Sequence, residues 1–97
     1  MAYNLVITDK ANELIDNSVR YILDHFKNPV AAQHLLDEID SAYVRLAENP
    51  YQFGNSTDML LKNRGYKEAL LTNMKYKFIF RIEDSTVYIV GFFHDYE

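Results

Sequence analysis

Residues 75–94 have the sequence KYKFIFRIEDSTVYIVGFFH and contain the clearest strand pattern in the chain. From Lys75 to Ile82, apolar and basic residues largely alternate, with the period of two that is typical of a strand with one buried face. Glu83-Asp84-Ser85 predicts a turn, and Val87 to Phe93 is a nearly continuous apolar run that suits a central strand covered on both faces. The segment therefore predicts two neighbouring strands joined by a tight turn.

The register of these two strands decides which side chains reach the core. A two-residue turn at Asp84-Ser85 predicts one face made of Phe78, Phe80, Val87, Ile89 and Phe93. The other face then carries Arg81, Tyr88, Val90, Phe92 and His94. Because a shift of one residue would exchange all these side chains between the faces, this register is a preference and the alternative stays open.

Two helices are predicted before these strands. Tyr3 to Ile7 is a short β-branched run typical of a first strand, and Thr8 or Asp9 offers an N-cap oxygen for the helix that follows. Asn28-Pro29 predicts the end of this helix and the start of a second, because proline suits a first helical position and restricts the residue before it. The second helix is predicted to end at Glu48-Asn49-Pro50. The short connection implies an antiparallel helical hairpin, one face of which needs a sheet to cover it.

The segment between the second helix and the final strands is irregular. Residues 50–65 predict a long loop, in which Met59-Leu60-Leu61 is interpreted as a very short strand. Tyr66 to Leu71 predicts a longer strand and Thr72-Asn73 a turn. We therefore expect residues 1–97 to form one α+β domain, with the helical hairpin packed on a mainly antiparallel sheet of about four strands.

The composition excludes several classes of protein. The chain has 97 residues, ten Lys and Arg against fourteen Asp and Glu, a formal net charge of -4, and no cysteine. The lack of cysteine removes disulfides and thiolate chemistry and fits a reducing compartment. No apolar run is long enough for a membrane span, and the N-terminus lacks the pattern of a signal peptide, so we predict a cytoplasmic protein without a membrane partner.

The charge is unevenly distributed along the chain. Residues 1–61 carry a net charge of -5, from four basic and nine acidic residues, and residues 62–82 carry +5, from six basic residues and one acidic residue. The six cations are Lys62, Arg64, Lys67, Lys75, Lys77 and Arg81. Such a stripe can attract an anion even on an acidic molecule. The alternative is a solvated strand face whose charges protect a sheet edge.

One pair of residues suggests proton transfer. His94 and Tyr96 are two residues apart and emerge on the same side of an extended chain, so either can serve as a general acid or base beside cations that stabilise a phosphorane. The alternative is an ordinary polar strand end. Phosphate-binding loops, zinc motifs and usefully spaced carboxylate pairs are missing from the sequence, so no metal and no cofactor are predicted.

Two further groups of side chains receive separate interpretations. Asp37, Glu38 and Asp40 are predicted to form the solvated face of the second helix. Tyr51 and Phe53 lie in the long loop and are not explained by the periodicity of the core. They are therefore candidates for contact with a base or with a protein partner.

The order of these elements resembles the RelE/ParE superfamily of type II toxin-antitoxin toxins. The resemblance rests on Pro29 opening the second helix, Leu46-Ala47-Glu48-Asn49-Pro50 closing it, and Arg64-Gly65-Tyr66-Lys67 leading into residues 76–82. The run Val87-Tyr88-Ile89-Val90-Gly91-Phe92-Phe93-His94 is similar to the last strand of the family. The resemblance covers essentially the whole chain and depends on order and spacing, since no single motif is diagnostic.

The resemblance implies a bacterial toxin that is neutralised by a cognate antitoxin. RelE-like members cut mRNA on the ribosome, whereas ParE-like members poison DNA gyrase. Lys67 and Arg81 lie where the family tends to carry basic residues, so the resemblance implies that they stabilise the charge on the phosphate. His94 and Tyr96 lie near the family's proton-transfer position, so the resemblance implies that they transfer protons. The candidates for contact with the RNA backbone are Lys62, Arg64, Lys75 and Lys77.

From the sequence we predict the first of three functions, and the other two remain as alternatives. The first is a RelE-like ribosome-dependent endoribonuclease, in which a 2′-hydroxyl attacks the adjacent phosphate with help from the implied catalytic residues. The second is a ParE-like gyrase inhibitor that acts by protein binding through the helical hairpin and the loop from Tyr51 to Asp58. The third is a degenerate family member without catalysis that keeps only an antitoxin-binding or structural role.

Overall fold

A computed structural model of the chain describes residues 2–94. Its elements are β1 (Asn4–Ile7), α1 (Asp9–Phe26), α2 (Pro29–Glu48), a 3₁₀ turn (Pro50–Gln52), α3 (Met59–Asn63), β2 (Lys67–Leu70), β3 (Tyr76–Glu83) and β4 (Thr86–His94). The sheet has the order β1-β4-β3-β2, with β1 parallel to β4 and the other neighbours antiparallel. The predicted α+β fold with a mainly antiparallel sheet is confirmed.

The two long helices begin and end where the sequence predicts. Thr8 caps α1, because its Oγ1 accepts a hydrogen bond of 3.2 Å from the amide of Ala11. Lys27 ends α1 in the left-handed conformation, with φ of 50°. Asn28 then caps α2 by accepting a hydrogen bond of 3.1 Å from the amide of Ala31. With only two residues between the helices, they fold back on each other as the predicted hairpin.

The hydrophobic core lies between the helical hairpin and one face of the sheet. Its largest fully buried side chains are Phe78, Phe80, Phe92, Leu35, Leu46, Ile89 and Val87. Full burial of each such side chain contributes about 1.5–3 kcal/mol to folding. We call the opposite side of the sheet the open face, and it carries the β3 side chains that alternate with this core, among them Lys77 and Arg81. Within residues 2–94, no helix is both long enough and apolar enough to cross a membrane.

A β-bulge in β4 corrects the predicted register. Phe80 pairs with Ile89, as predicted, but Ile79 pairs with Gly91, so Val90 is an extra residue on β4. The prediction that Phe93 joins the core and Phe92 leaves it is therefore wrong. Phe92 is 1% exposed and lies opposite Phe78, whereas Phe93 is 46% exposed on the open face. The bulge also moves His94 to the side of the sheet that the helices cover.

The short strand predicted at Met59-Leu60-Leu61 is also wrong, because these residues begin α3. The carboxylate of Asp58 accepts hydrogen bonds of 2.9 Å and 3.2 Å from the amides of Leu60 and Leu61. This side-chain cap satisfies the first free amides of a helix, and it outweighs the apolar character that favoured a strand.

Candidate functional site

Lys67 lies at the outer edge of the sheet, on the side covered by the helices. It pairs with Phe80, and its side chain therefore shares the face of the buried Ala69 two residues later. The Lys67 ammonium is 3.4 Å from the carbonyl oxygen of Phe53 and 3.5 Å from Asn55 Oδ1. It also lies 5.8 Å from the centre of the Tyr51 ring. Lys67 thus ties the loop after α2 to the edge of β2.

Arg81 lies on the open face and already has two partners. Its guanidinium is 4.4 Å from the centre of the Tyr88 ring on β4, and it forms a close ion pair with Glu83. Lys77 on the same face pairs with Glu68 at 3.4 Å. Since a carboxylate already faces each of these two cations, a phosphate that bound either one would have to compete with that carboxylate.

His94 lies at the far end of the β3–β4 ladder, opposite Tyr76. The centres of the two rings are 5.0 Å apart in an edge-on arrangement, and Tyr76 stacks on Phe92 at 5.1 Å. His94, Tyr76 and Lys75 border one pocket, of about 370 Å³, at the end of α1. Tyr96, the predicted partner of His94, lies outside the described residues. Tyr76 was not predicted as a neighbour of His94, because that pairing depends on the bulge at Val90.

The structure does not bring Lys67, Arg81 and His94 together. Lys67 and Arg81 lie at nearly the same level of the sheet but on opposite faces. Arg81 and His94 are also on opposite faces, and Tyr76, the partner of His94, is five residues from Arg81 along β3. At about 3.3 Å per residue, this separation is roughly 16 Å.

The remaining predicted cations lie elsewhere. Lys62 is in α3 and Arg64 follows it directly. Both are exposed, and neither has a carboxylate within 4.0 Å among residues 2–94. Lys75 is exposed beside His94. The cationic segment of the sequence is thus divided among the open face, the helix-covered side and α3.

The long loop contains a contact that the sequence did not reveal. Phe53, predicted to be available to a partner, instead packs against the core with its ring edge-on to Phe80 at 6.0 Å. The guanidinium of Arg45, near the end of α2, lies 5.6 Å from the centre of the Phe53 ring. Tyr51 remains exposed. Of the two aromatic candidates in this loop, only Tyr51 presents most of its surface to a partner.

Glu38 also differs from the prediction of a purely solvated face. It accepts hydrogen bonds from the amides of Thr72 and Asn73, at 3.0 Å and 3.2 Å, and from the side-chain amide of Asn73 at 3.0 Å. These hydrogen bonds lower the pKa of Glu38 below its usual value, and the bond from the Asn73 side chain has the largest effect. Asp37 and Asp40 are exposed as predicted. Glu38 therefore fastens the loop before β3 to α2.

A resident metal ion has no evident site in the part of the chain that the structure describes. Residues 2–94 contain no cluster of three or more His, Asp or Glu side chains arranged to hold one. The chemistry available at the pocket beside His94 is that of an imidazole, a phenol and an ammonium group.

Comparison with known proteins identifies the family. The family model described as "ParE toxin of type II toxin-antitoxin system, parDE" matches residues 5–97. The chain therefore belongs to the ParE toxin family, within the RelE/ParE superfamily that the sequence resembles, and it is a toxin of a type II toxin-antitoxin system. No curated protein matches the chain.

Solved structures share the fold at low sequence identity. One is a chain of the chromosomal ParDE TA system from P. aeruginosa, with a TM-score of 0.78 and 17% identity over 96% of each chain. Another belongs to the toxin-antitoxin complex RelBE2 from Mycobacterium tuberculosis, with a TM-score of 0.63 and 21% identity over 97% of this chain and 99% of that chain. At these identities the likeness shows the fold alone.

Proposed function

We propose that this toxin acts as a ParE-like inhibitor of DNA gyrase, by binding rather than by catalysis, and that a cognate antitoxin binds and neutralises it. The observation that carries the proposal is the separation of Lys67, Arg81 and His94 over two faces of the sheet. These are the residues on which a RelE-like cleavage mechanism would depend.

Cleavage of a phosphodiester requires its catalytic groups around one phosphate. A general acid or base must come within hydrogen-bond reach of the proton it moves, and the cations must face the developing charge. Arg81 is roughly 16 Å from His94 along the strand direction and lies on the other face. Arg81 is also paired with Glu83. This arrangement favours a toxin that works through its surface.

The helical hairpin offers a surface suited to a protein target. Phe26 and Val30 flank the turn between α1 and α2, and most of each side chain is exposed. Tyr21, five residues before Phe26 in α1, is also exposed and stacks on His25 with ring centres 4.2 Å apart. Exposed aromatic and aliphatic side chains that lie close together are typical of protein interfaces.

The antitoxin is supported by the family and by the solved relatives. The matching family is described as the toxin of the parDE system, and the two solved structures named above come from a ParDE TA system and a RelBE2 toxin-antitoxin complex. We choose gyrase as the target because the resemblance implies that ParE-like members of the superfamily poison DNA gyrase.

Two assays test the choice between binding and cleavage. The purified toxin is added to a gyrase supercoiling reaction, and the 5′ ends of cellular mRNA are mapped after its expression. We expect inhibited supercoiling and no new mRNA ends. Phe26→Ala with Val30→Ala should weaken inhibition at least tenfold, whereas Leu70→Ala, which removes an exposed apolar side chain from the open face, should not. Unchanged supercoiling together with new mRNA ends would overturn the proposal.

A ribonuclease is the second candidate, and one observation favours it. His94, Tyr76 and Lys75 share a pocket, and this supplies an acid/base group, a phenol and a cation in one place. If they form an active site, His94→Ala should remove the new mRNA ends and Tyr76→Phe should weaken cleavage while keeping the ring packed on Phe92. Cleavage that persists in both variants would exclude this pocket as the active site.

A further inference from the structure

Met59 and Leu60 are the most exposed large apolar residues in the part of the chain that the structure describes. Their side chains are 66% and 72% exposed, and they are consecutive residues in the first turn of α3. Single exposed apolar side chains are common on protein surfaces, whereas contiguous ones rimmed by charged residues mark interaction sites. These two residues are therefore candidates for an interface.

The structure holds α3 in place, so this exposure belongs to an ordered element. Asp58 caps the helix by accepting hydrogen bonds from the amides of Leu60 and Leu61. Ser56, which is buried, accepts a hydrogen bond of 3.2 Å at its Oγ from the amide of Asp58. On the other side, the amide of Tyr66 donates to the carbonyl of Leu61 at 3.0 Å. A partner would therefore meet a surface that is already formed, which lowers the entropic cost of binding.

Two basic residues beside this apolar pair have no acidic partner in the described part of the chain. Lys62 and Arg64 are exposed and have no carboxylate within 4.0 Å among residues 2–94. The two nearest acidic residues in the sequence are already engaged: Asp58 caps α3, and Glu68 pairs with Lys77 and accepts a hydrogen bond from the amide of Thr57. The surface of α3 thus presents two aliphatic side chains followed by two available cations.

We propose that Met59, Leu60, Lys62 and Arg64 form the docking site for an acidic amphipathic segment of the cognate antitoxin. This inference rests on the proposed function for the existence of that antitoxin. Apolar side chains of the segment cover Met59 and Leu60, and its carboxylates pair with Lys62 and Arg64. Charge complementarity selects the acidic partner, because no carboxylate among residues 2–94 pairs with Lys62 or Arg64. Met59 can adjust its shape to the partner, and Arg64 can hold a carboxylate through two hydrogen bonds.

The same surface is less suited to nucleic acid. Bases of a single strand stack on aromatic rings, and the exposed apolar groups on α3 are aliphatic. Binding to phosphates also depends on several cations following a backbone, whereas α3 and the residue after it supply Lys62 and Arg64. The combination of an aliphatic pair and two cations therefore favours an acidic protein segment over RNA.

The test measures the affinity of the full chain for the protein encoded by the reading frame adjacent to its own. The charge variant is Lys62→Glu with Arg64→Glu, and the apolar variant is Met59→Ser with Leu60→Ser. Matched controls are Lys10→Glu with Arg20→Glu, for exposed cations of α1 before its last turn, and Val44→Ser with Leu70→Ser, for exposed apolar residues elsewhere. Titration calorimetry at 50 and 300 mM salt gives each Kd, and circular dichroism confirms the fold. Leu60→Gln alone serves as a milder apolar variant.

We expect both patch variants to raise Kd at least tenfold and both controls to change it less than twofold. The charge variant should also lose most of the salt dependence of binding, because salt screens the ion pairs that this variant removes.

Wild-type affinity in the charge variant and in Leu60→Gln would overturn the docking site while leaving the antitoxin assignment intact. A wild-type toxin that does not bind the adjacent product would overturn both. If the charge variant abolishes retention of a single-stranded RNA and leaves the protein affinity unchanged, the patch contacts RNA and the proposal is wrong.

Discussion

The ring of Phe93 lies over Gly91 on the open face of the sheet. A Cβ atom built on Gly91 would be only 2.6 Å from Phe93 Cε2 and 3.6 Å from the Cβ of Ile79. This contact follows from the bulge at Val90, which turns both Gly91 and Phe93 toward the open face. Ile79 also lies on that face but is only 4% exposed. Because Gly91 has no side chain, it leaves room for the Phe93 ring next to Ile79.

Gly91→Ala should therefore destabilise the fold by displacing this ring. The new methyl group must push the half-exposed Phe93 ring toward solvent. Because this ring can move aside and alanine restricts the unfolded chain more than glycine does, we expect a net loss of only about 1 kcal/mol in the free energy of unfolding. Urea denaturation followed by circular dichroism measures the change. In a Phe93→Ala background the same substitution should cost at least 0.5 kcal/mol less, because contacting residues are coupled. Strictly additive effects would contradict this account of the contact.

Thr8 joins the start of α1 to β4, and its removal should affect both elements. Its Oγ1 accepts a hydrogen bond from the amide of Ala11 and donates one of 3.0 Å to the carbonyl of Ile89. Thr8→Ala should lower the free energy of unfolding by about 1–2 kcal/mol, through the lost cap and the lost link to the strand. Thr8→Ser keeps the hydroxyl and should recover most of that stability. Equal losses in both variants would show that the methyl group, rather than the hydroxyl, is responsible.

The parts of the fold that follow from local patterns were predictable. Thr8 and Pro29 mark helix starts through capping and a fixed φ, and the alternation around Phe78 and Phe80 marks a strand with one buried face. The bulge at Val90 was not predictable, because the run from Val87 to Phe93 is apolar on both faces and does not record a change of register.

The candidate site was less predictable than the fold for the same reason. Which face a strand side chain occupies depends on pairing between strands, and the sequence of one strand does not specify it. Lys67 and Arg81 belong to one cationic segment of sequence but to opposite faces of the sheet. The proximity of Tyr76 to His94 likewise depends on the register beyond the bulge. The charge pattern of the sequence therefore identified the basic residues but could not predict which of them lie close together in the fold.

Tyr43 should make stability fall at high pH. Burial, with a smaller effect of Asp40, raises the pKa of Tyr43 to about 12, from an ordinary value of 10.0. The unfolded chain therefore loses this proton before the folded chain does, so the stabilisation is complete below about pH 10 and is lost as pH rises toward 12. Tyr43→Phe keeps the ring that packs against Phe78 at 5.4 Å and should flatten this alkaline decline.

The measurement for Tyr43 is urea denaturation between pH 8 and 11, with tyrosinate absorbance recorded in parallel. Tyr51→Phe is the matched control, because Tyr51 is exposed. An alkaline decline that is identical in wild type, Tyr43→Phe and Tyr51→Phe would show that another group causes it.

Glu38 should make stability fall at acidic pH. The hydrogen bonds from Asn73 and Thr72 hold the pKa of the Glu38 carboxyl below its usual value of 4.5. As pH falls, the unfolded chain takes up the proton first, so the stabilisation is complete above about pH 4.5 and is lost as pH falls through the lower pKa of the folded state.

Glu38→Gln removes the charge and should flatten the decline of stability at acidic pH, between pH 3 and 5. Glu38→Ala also removes the acceptors and should cost about 1 kcal/mol at pH 7. Urea denaturation across this pH range tests both expectations, with Asp24→Asn as an exposed control in α1. A wild-type acid limb in Glu38→Gln would mean that the contact between α2 and the loop before β3 does not depend on the charge of Glu38.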